Sequence, residues 1–338
     1  MSVAVVILNW NGRKFLEQFL PTLILHTGDD AELIIADNAS SDDSVEFLQT
    51  TYPKIRIIRN EQNWGFSKGY NEALKHVESD YYVLLNSDIE VTPNWIKPVI
   101  SLMDADQNIG ACQPKLIAFH DREAFEYAGG AGGFIDEYGY PFCRGRLFNT
   151  LEKDLGQYND VQEVFWATGA CMFVRADLFR QFGGLDNDFF AHMEEIDYCW
   201  RLKNAGYKIM YCPDSTVFHV GGGTLPKISS RKTYLNFRNN LILLYKNLPP
   251  SKLLPVFLIR LVLDFTASMK FLSEGYFKDS VAVAKAYVSF YKSFTQLKIK
   301  RSRIPHRKVN GIYKGSIVLV YYGKGKKQFS ALSPAKFS

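Results

Sequence analysis

Four short apolar runs in the first hundred residues, Val3–Leu8, Leu33–Ala36, Ile55–Ile58 and Tyr81–Leu85, are separated by helix-length stretches. This alternation limits the fold more than any other feature of the chain. Strands that are apolar at successive positions cannot turn one face to water, so they belong in a parallel sheet covered on both sides. Residues 13–26 carry Phe15, Leu16, Phe19 and Leu20 on one helical face. Residues 42–50 and 66–77 read as the next helices, the first with Ser41 placed to cap it. The βαβαβαβ order predicts the α/β class, with a Rossmann-like, mostly parallel sheet.

Each apolar run stops at polar residues. Tyr81–Leu85 passes directly into Asn86-Ser87-Asp88. A carboxylate at the end of a buried strand costs several kcal/mol unless it is paired or solvated, and ligand crevices of open α/β sheets lie beyond such ends. An Asx turn explains the same residues without a ligand. Asp37-Asn38-Ala39-Ser40-Ser41-Asp42 follows the second strand, where Asp37 is suited to accept from the N3–H of a pyrimidine. Asn63-Trp64-Gly65-Phe66-Ser67-Lys68-Gly69-Tyr70-Asn71 leads into a helix, so its backbone N–H groups can meet phosphate or sugar. Asp88 adds a hard oxygen ligand of the kind Mg²⁺ or Mn²⁺ prefers.

From about residue 112 to 225 the pattern breaks into shorter strands and glycine clusters. Helices are expected at 175–182, ending at Gly183-Gly184, and at 194–205, ending at Gly206. The five cysteines are widely spaced without a C-x-x-C pair, which points to reduced packing residues of a cytosolic protein. The amino-terminal residues enter a strand directly, so no signal peptide is expected.

The motifs together resemble family 2 glycosyltransferases of the GT-A nucleotide-diphospho-sugar transferase fold, close to the rhamnosyltransferase-like bacterial branch. The resemblance rests on Val6-Ile7-Leu8-Asn9-Trp10-Asn11, Ala36-Asp37-Asn38-Ala39-Ser40, Asn63-Trp64-Gly65-Phe66 with Asn71, and Leu85-Asn86-Ser87-Asp88. Further on it includes Trp166-Ala167-Thr168-Gly169-Ala170-Cys171-Met172-Phe173, Phe189-Phe190, Glu194-Glu195-Ile196-Asp197 with Arg201, and His219-Val220-Gly221-Gly222-Gly223-Thr224. It implies that Asn9, Asp37, Asn63, Gly65, Asn71, Asn86 and Asp88 bind a nucleoside-diphosphate sugar. It also implies that Asp88 and His219 hold a divalent metal, Mg²⁺ or Mn²⁺. Asn86 stands where the family has the first carboxylate of D-x-D, so the metal leans on His219, the diphosphate and water. A structural loop histidine is the plainer account of His219.

The family's general base falls by position on Glu195, with Glu194 and Asp197 as the other acids. Acids in a first helical turn also favour the macrodipole without any chemistry. Arg201 could orient these acids, meet phosphate, or form a surface ion pair. The implied reaction is metal-assisted transfer with inversion, to a lipid-linked saccharide acceptor in cell-surface polysaccharide synthesis. A sugar nucleotidyltransferase and a non-catalytic sugar-nucleotide-binding scaffold are the alternatives.

Charge divides the chain. Residues 1–225 carry 18 Lys and Arg against 32 Asp and Glu, a net of −14, while residues 226–338 carry 22 against 3, a net of +19. The expected organisation is therefore a catalytic domain over 1–225, with a nucleotide-sugar half at 1–110 and an acceptor half at 111–225. A basic helical extension follows over 226–338. It reads as helices to about 300, then a strand-like run, Ser316–Tyr322.

Residues 253–272 are long enough to span a bilayer, but Arg260, Asp264 and Lys270 oppose this at about 2.5–3.5 kcal/mol each. Arg260, Asp264 and Ser268 share one stripe, as on an interfacial helix or one packed on the catalytic domain. Basic residues interleaved with aromatics suit an anionic membrane surface, which would place the protein on the cytoplasmic face of the plasma membrane. Helix packing or homo-oligomerisation would also use this face. Nucleic acid is not expected, because no stacking motif or known nucleic-acid fold is visible.

Overall fold

Each early apolar strand feeds two cores, one on either side of its sheet. In the computed structural model, which describes residues 1–221 and 229–338, the chain opens with seven elements in the expected order. They are β1 (Val3–Asn9), α1 (Arg13–Thr27), β2 (Glu32–Asp37), α2 (Ser44–Thr51), β3 (Arg56–Arg59), α3 (Gly65–Leu74) and β4 (Tyr81–Leu85). The four strands run parallel in the order β3-β2-β1-β4. On β1, Ala4 and Val6 enter one core and Val3, Val5 and Ile7 the other. β4 divides in the same way, with Tyr82 and Leu84 opposite Tyr81, Val83 and Leu85.

Ser41 does not cap α2. Its amide and hydroxyl both donate to Asn11 Oδ1, tying the loop after β2 to the loop after β1, and the helix starts behind Asp43 instead.

The chain continues through β5 (Ile89–Val91), α4 (Lys97–Ala105) and β6 (Ile109–Ala118). Four short strands follow: β7 (Gly133–Asp136), β8 (Pro141–Cys143), β9 (Arg146–Leu147) and β10 (Thr150–Leu151). Then come β11 (Gln162–Val164), β12 (Cys171–Arg175), α5 (Ala176–Gln181), α6 (Glu194–Ala205) and β13 (Lys208–His219). β12 lies antiparallel between β4 and β6, and β13 and β11 extend the sheet beyond β6. α6 stops at Gly206, whose φ of 104° is one that glycine adopts without strain.

The remaining elements are α7 (Ser230–Asn247), α8 (Pro250–Ser273), α9 (Phe277–Lys292), α10 (Phe294–Ser302) and β14 (Ile312–Tyr313). The expected boundary at 225/226 lies outside the described residues, as do Gly222, Gly223 and Thr224. The basic extension shares a core with the rest of the chain. Leu241–Leu244 of α7, Val256 of α8, Phe290 of α9, Val320 and Leu332 all pack into the cluster that contains Val6 and Leu84. β14 joins β7 in parallel, completing a sheet ordered β10-β9-β8-β7-β14.

Ser316–Tyr322 is not a strand, because its backbone groups are already engaged. Ile317 N donates to buried Asp136 Oδ2 and Leu319 N to Ser316 Oγ, and a π-helical turn covers Leu319–Gly323.

α8 resolves the stripe seen in the sequence. Arg260 forms a buried ion pair with Asp264 at 3.1 Å and donates to Tyr138 O at 3.0 Å. Asp264 also accepts from Tyr140 and Tyr287, and Ser268 meets Ser280 of α9. This face is therefore packed on protein. The opposite face leaves Leu254, Leu258, Leu261, Val262, Phe265 and Met269 between 48% and 70% exposed. Among the described residues no helix is long and apolar enough to cross a membrane.

Candidate active site

Parallel register places Asn9 at the end of β1 opposite Asp37 at the end of β2. Asn9 Nδ2 donates to Asp37 Oδ1 at 3.3 Å and to Ser40 Oγ at 3.2 Å, while Asp37 Oδ2 accepts from Ser40 N at 3.0 Å. Asn9 Oδ1 is buried without a partner. Asn38 is the hub of the neighbouring loop. Its Oδ1 accepts from Trp64 N and Asn60 Nδ2, and its Nδ2 donates to Asn63 Oδ1 and Gly65 O. Asn63 in turn accepts from Gly65 N at 2.9 Å, so this residue shapes the loop.

Gly65 has φ +74°, and a Cβ there would stand 2.7 Å from the Phe190 ring. Phe66 N donates to Phe190 O at 2.9 Å, so the glycine docks the loop onto the segment leading to α6. Asn71 does not join this set. Its Nδ2 donates to Leu185 O and Asn187 Oδ1 and its Oδ1 accepts from Leu185 N, which commits both ends of the amide to the turn after α5.

At the end of β4, Asn86 N donates to Ala170 O at 2.9 Å. The antiparallel pairing of β5 with the end of β13 sets His219 opposite Ile89 and so beside Asp88. His219 Nε2 lies 3.2 Å from Asp88 Oδ1, and its Nδ1 lies 3.2 Å from Glu126 Oε1. All three are buried. Burial alone would depress the imidazole, but Glu126 and Asp88 outweigh it and push His219 up to about 10. Burial would raise Asp88, yet the hydrogen bond and charge of His219 hold it below the ordinary carboxylate value. Glu126 carries no motif, and only the folded chain brings it to His219.

Asp88 and His219 offer one hard anionic oxygen and one imidazole nitrogen next to each other. Their 3.2 Å separation is close to the roughly 3 Å between neighbouring ligands around an octahedral ion with bonds of about 2.1 Å. Among the described residues no group of three or more His, Cys, Asp or Glu forms a complete cage. The donor set could contribute two ligands to a divalent ion, which would need further oxygen ligands from outside this pair and a neutral imidazole.

The acids at the start of α6 meet three different surroundings. Asp197 is fully buried and accepts from Arg201 Nε, Lys246 Nζ and Asn247 Nδ2, each at 2.9 Å. Arg201 also donates to Phe182 O and Gly184 O and is itself buried. Glu194 is buried, and burial together with the charge of Glu195 pushes it well above the carboxylate range. Glu195 is only half-buried, its Oε2 has no partner, and burial pushes it up to about 7.

The approach to this helix is strained. Phe190, His192 and Met193 have φ of 61°, 70° and 74°, values that non-glycine residues adopt at a cost of about 1–3 kcal/mol each. Asn239 of α7 holds the segment by donating to Phe189 O, Ala191 O and His192 O at 2.8–3.0 Å. Sequence reading missed Asn239, which lies some fifty residues away in a helix with no motif.

Comparison with known proteins bears on the family and the fold. The family model described as glycosyl transferase family 2 matches residues 4–183. The N-acetylglucosaminyl-diphospho-decaprenol L-rhamnosyltransferase of Mycobacterium tuberculosis is 26% identical over 231 residues, covering 64% of this chain and 75% of that protein. The O-antigen chain rhamnosyltransferase WbaN of Salmonella anatum is 29% identical over 198 residues, covering 57% and 58%. Among solved structures, S. aureus TarS 1-349 with UDP-GlcNAc superposes with a TM-score of 0.56 at 14% identity, covering 89% of this chain and 84% of that one. GalNAc-T7 with UDP, GalNAc and Mn²⁺ gives 0.60 at 17% identity, covering 92% of this chain and 59% of that one. These two structures carry the fold alone, and it is the GT-A fold expected from the motifs.

Proposed function

The chain belongs to glycosyl transferase family 2, and from that premise we propose an inverting, metal-dependent transfer. The donor is a uridine or thymidine diphosphate sugar, with rhamnose a candidate, and the acceptor is a lipid-linked saccharide in cell-surface polysaccharide synthesis. Asn9 and Asp37 bind the nucleoside, Asn63 and Gly65 form the loop beside it, and Asn86 and Asp88 face the diphosphate. A divalent ion, when held by Asp88 and His219, supplies Lewis-acid charge for the departing diphosphate. Glu126 orients His219. Glu195 takes the proton from the acceptor hydroxyl as that oxygen bonds to the sugar's C1 and the bond from C1 to the phosphate oxygen breaks. With acceptor and leaving group on opposite faces of C1, configuration inverts and no covalent sugar–enzyme intermediate forms.

The observation that carries this reading is the state of Glu195: half-buried, unpartnered at Oε2, and shifted to about 7. A base with its pKa near neutrality is the form general-base catalysis favours. The name of the mycobacterial relative, which specifies a diphospho-decaprenol acceptor, supports a lipid diphosphate here. The exposed apolar face of α8, on an extension with 22 basic residues and 3 acidic ones, supports docking on an anionic leaflet, cytoplasmic in this reading.

The test is a panel of UDP- and dTDP-sugars with Mn²⁺ and a lipid-diphosphate saccharide acceptor. One donor should be consumed, with the product anomer inverted by NMR. A retained anomer would overturn the single displacement, and full turnover in excess chelator would overturn the metal's role.

A further inference from the structure

Arg146, on β9 in the acceptor half, is a buried guanidinium with no matching carboxylate. Its residue exposure is 7%. Nη1 donates to Phe148 O at 3.2 Å, Nη2 donates to Cys143 Sγ at 3.5 Å, and Nε is buried with no partner. A sulfur and one carbonyl are weak company for five N–H donors and a full positive charge, whose burial is costly unless an anion is supplied. Among the described residues none forms an ion pair with it, and residues 222–228 contain no Asp or Glu. Glu126 lies within electrostatic reach, but its Oε1 meets His219 and its Oε2 accepts from Ala128 N.

The position of this guanidinium points toward a ligand. The ring it stacks on belongs to Tyr127, which follows Glu126, and Glu126 Oε1 lies 3.2 Å from His219 Nδ1, so Arg146 borders the candidate site. The guanidinium carbon sits 4.5 Å from the centre of the Tyr127 ring, and Tyr127 is 49% exposed. Phe148 packs on Tyr321 and Tyr322 at 4.8 and 5.2 Å, and Lys327 Nζ stands 3.6 Å over the Tyr321 ring. Tyr322 is 56% exposed and within electrostatic reach of Lys270 near the end of α8. An aromatic and basic edge therefore runs from the site to the helix whose other face is apolar and open.

We propose that Arg146 binds a phosphate group of the acceptor, the diphosphate of a lipid-linked saccharide lying along the Tyr127–Phe148–Tyr322 edge. This rests on the transferase reading above. The planar fork of arginine matches two phosphate oxygens at once, which a lysine cannot do. The same edge leads the attached lipid toward α8.

The test uses the full chain and geranyl diphosphate as probe, titrated by calorimetry with Mn²⁺ and saturating UDP or dTDP, so that the donor's diphosphate site is already filled. Wild-type protein should bind the probe, and R146Q should bind it about tenfold or more weakly, the loss expected for a hydrogen bond to a charged group. R146K, which keeps the charge and guards against a folding defect, should show an intermediate loss at unchanged melting temperature. Nucleotide affinity should be the same in all three proteins.

Probe that binds only when nucleotide is absent, or a parallel loss of nucleotide affinity in R146K, would assign Arg146 to the donor and overturn the proposal. Equal binding of the probe by wild type and both variants would also overturn it. If the wild type binds no nucleotide, the donor reading falls, while titration of the probe alone still tests Arg146.

Discussion

Glu194, Glu195 and Asp197 stand within one turn of α6, and their partners separate them. Asp197 is held by Arg201, Lys246 and Asn247, so D197N should destabilise the protein by about 3–5 kcal/mol, the cost of breaking a buried ion pair. A melting curve checks this. E195Q should lower kcat by about 10²–10⁴, the usual contribution of a general base, while nucleotide affinity measured by calorimetry stays within twofold. Because Glu195 is shifted up to about 7, it is protonated below that pH. The wild-type kcat/KM should therefore fall as pH drops through 7, and the residual E195Q rate should lack that limb. The sequence motif located this cluster, and family position favoured Glu195, but the buried partners of Asp197 were out of reach because Lys246 and Asn247 lie on a helix some fifty residues later. Arg201, read as an orienter of these acids, a phosphate contact or a surface partner, is a buried cation bonded to Asp197, Phe182 O and Gly184 O. Glu126 was not legible at all: nothing marks it until β5 and β13 pair and bring His219 beside it.

At the level of elements, the Asn63–Gly65 loop and the acid-bearing segment are locked to each other. Gly65 lies against Phe190, and Asn239 gathers the carbonyls of Phe189, Ala191 and His192. G65A combines an unfavourable φ with a clash against the ring and should impair transfer and nucleotide binding together. N239A removes the side-chain donor to Ala191 O and His192 O, while Phe189 O keeps Ala191 N and Arg238 Nη2, and should lower stability by about 1–3 kcal/mol, with a larger loss of turnover as the strained backbone relaxes. Both are read from melting curves paired with turnover. The parallel strands were legible because burial on both faces forces continuous apolar runs, and α6 was legible from its acids and Gly206. Asn71 was misread because an asparagine at a helix start serves a ligand or a neighbouring turn equally well in sequence. Ser316–Tyr322 was misread because Asp136, 181 residues from Ile317, takes the amide that a strand would have used.

For the whole molecule, the two faces of α8 settle different questions. Arg260 and Asp264 fix the helix to the protein, and Leu258 and Phe265 face outward at 57% and 64% exposure. The pair L258D/F265D should reduce co-sedimentation with phosphatidylglycerol vesicles by about tenfold or more without shifting the melting temperature, since the apolar area lost to the lipid is already exposed in the free protein. Binding that withstands both substitutions would place the contact elsewhere.

The charge asymmetry announced an extension with its own partner, yet could not show that Leu241–Leu244, Phe290 and Leu332 complete the common core. A protein cut after residue 245 loses Lys246 and Asn247 along with α8 to α10, so it should be insoluble, and it cannot serve as a minimal catalytic unit. There is a consequence for the growing chain. During synthesis the parallel strands β1 to β4 emerge first, but the segment that leads into α6 has no support until Asn239, Lys246 and Asn247 have left the ribosome. The sheet beside it stays open until residues 312–313 arrive. By then α8, with its exposed apolar face, is already outside. Translation order thus leaves the acid-bearing start of α6 unsupported until the later helices exist, and a nascent chain released early lacks the residues that complete its core.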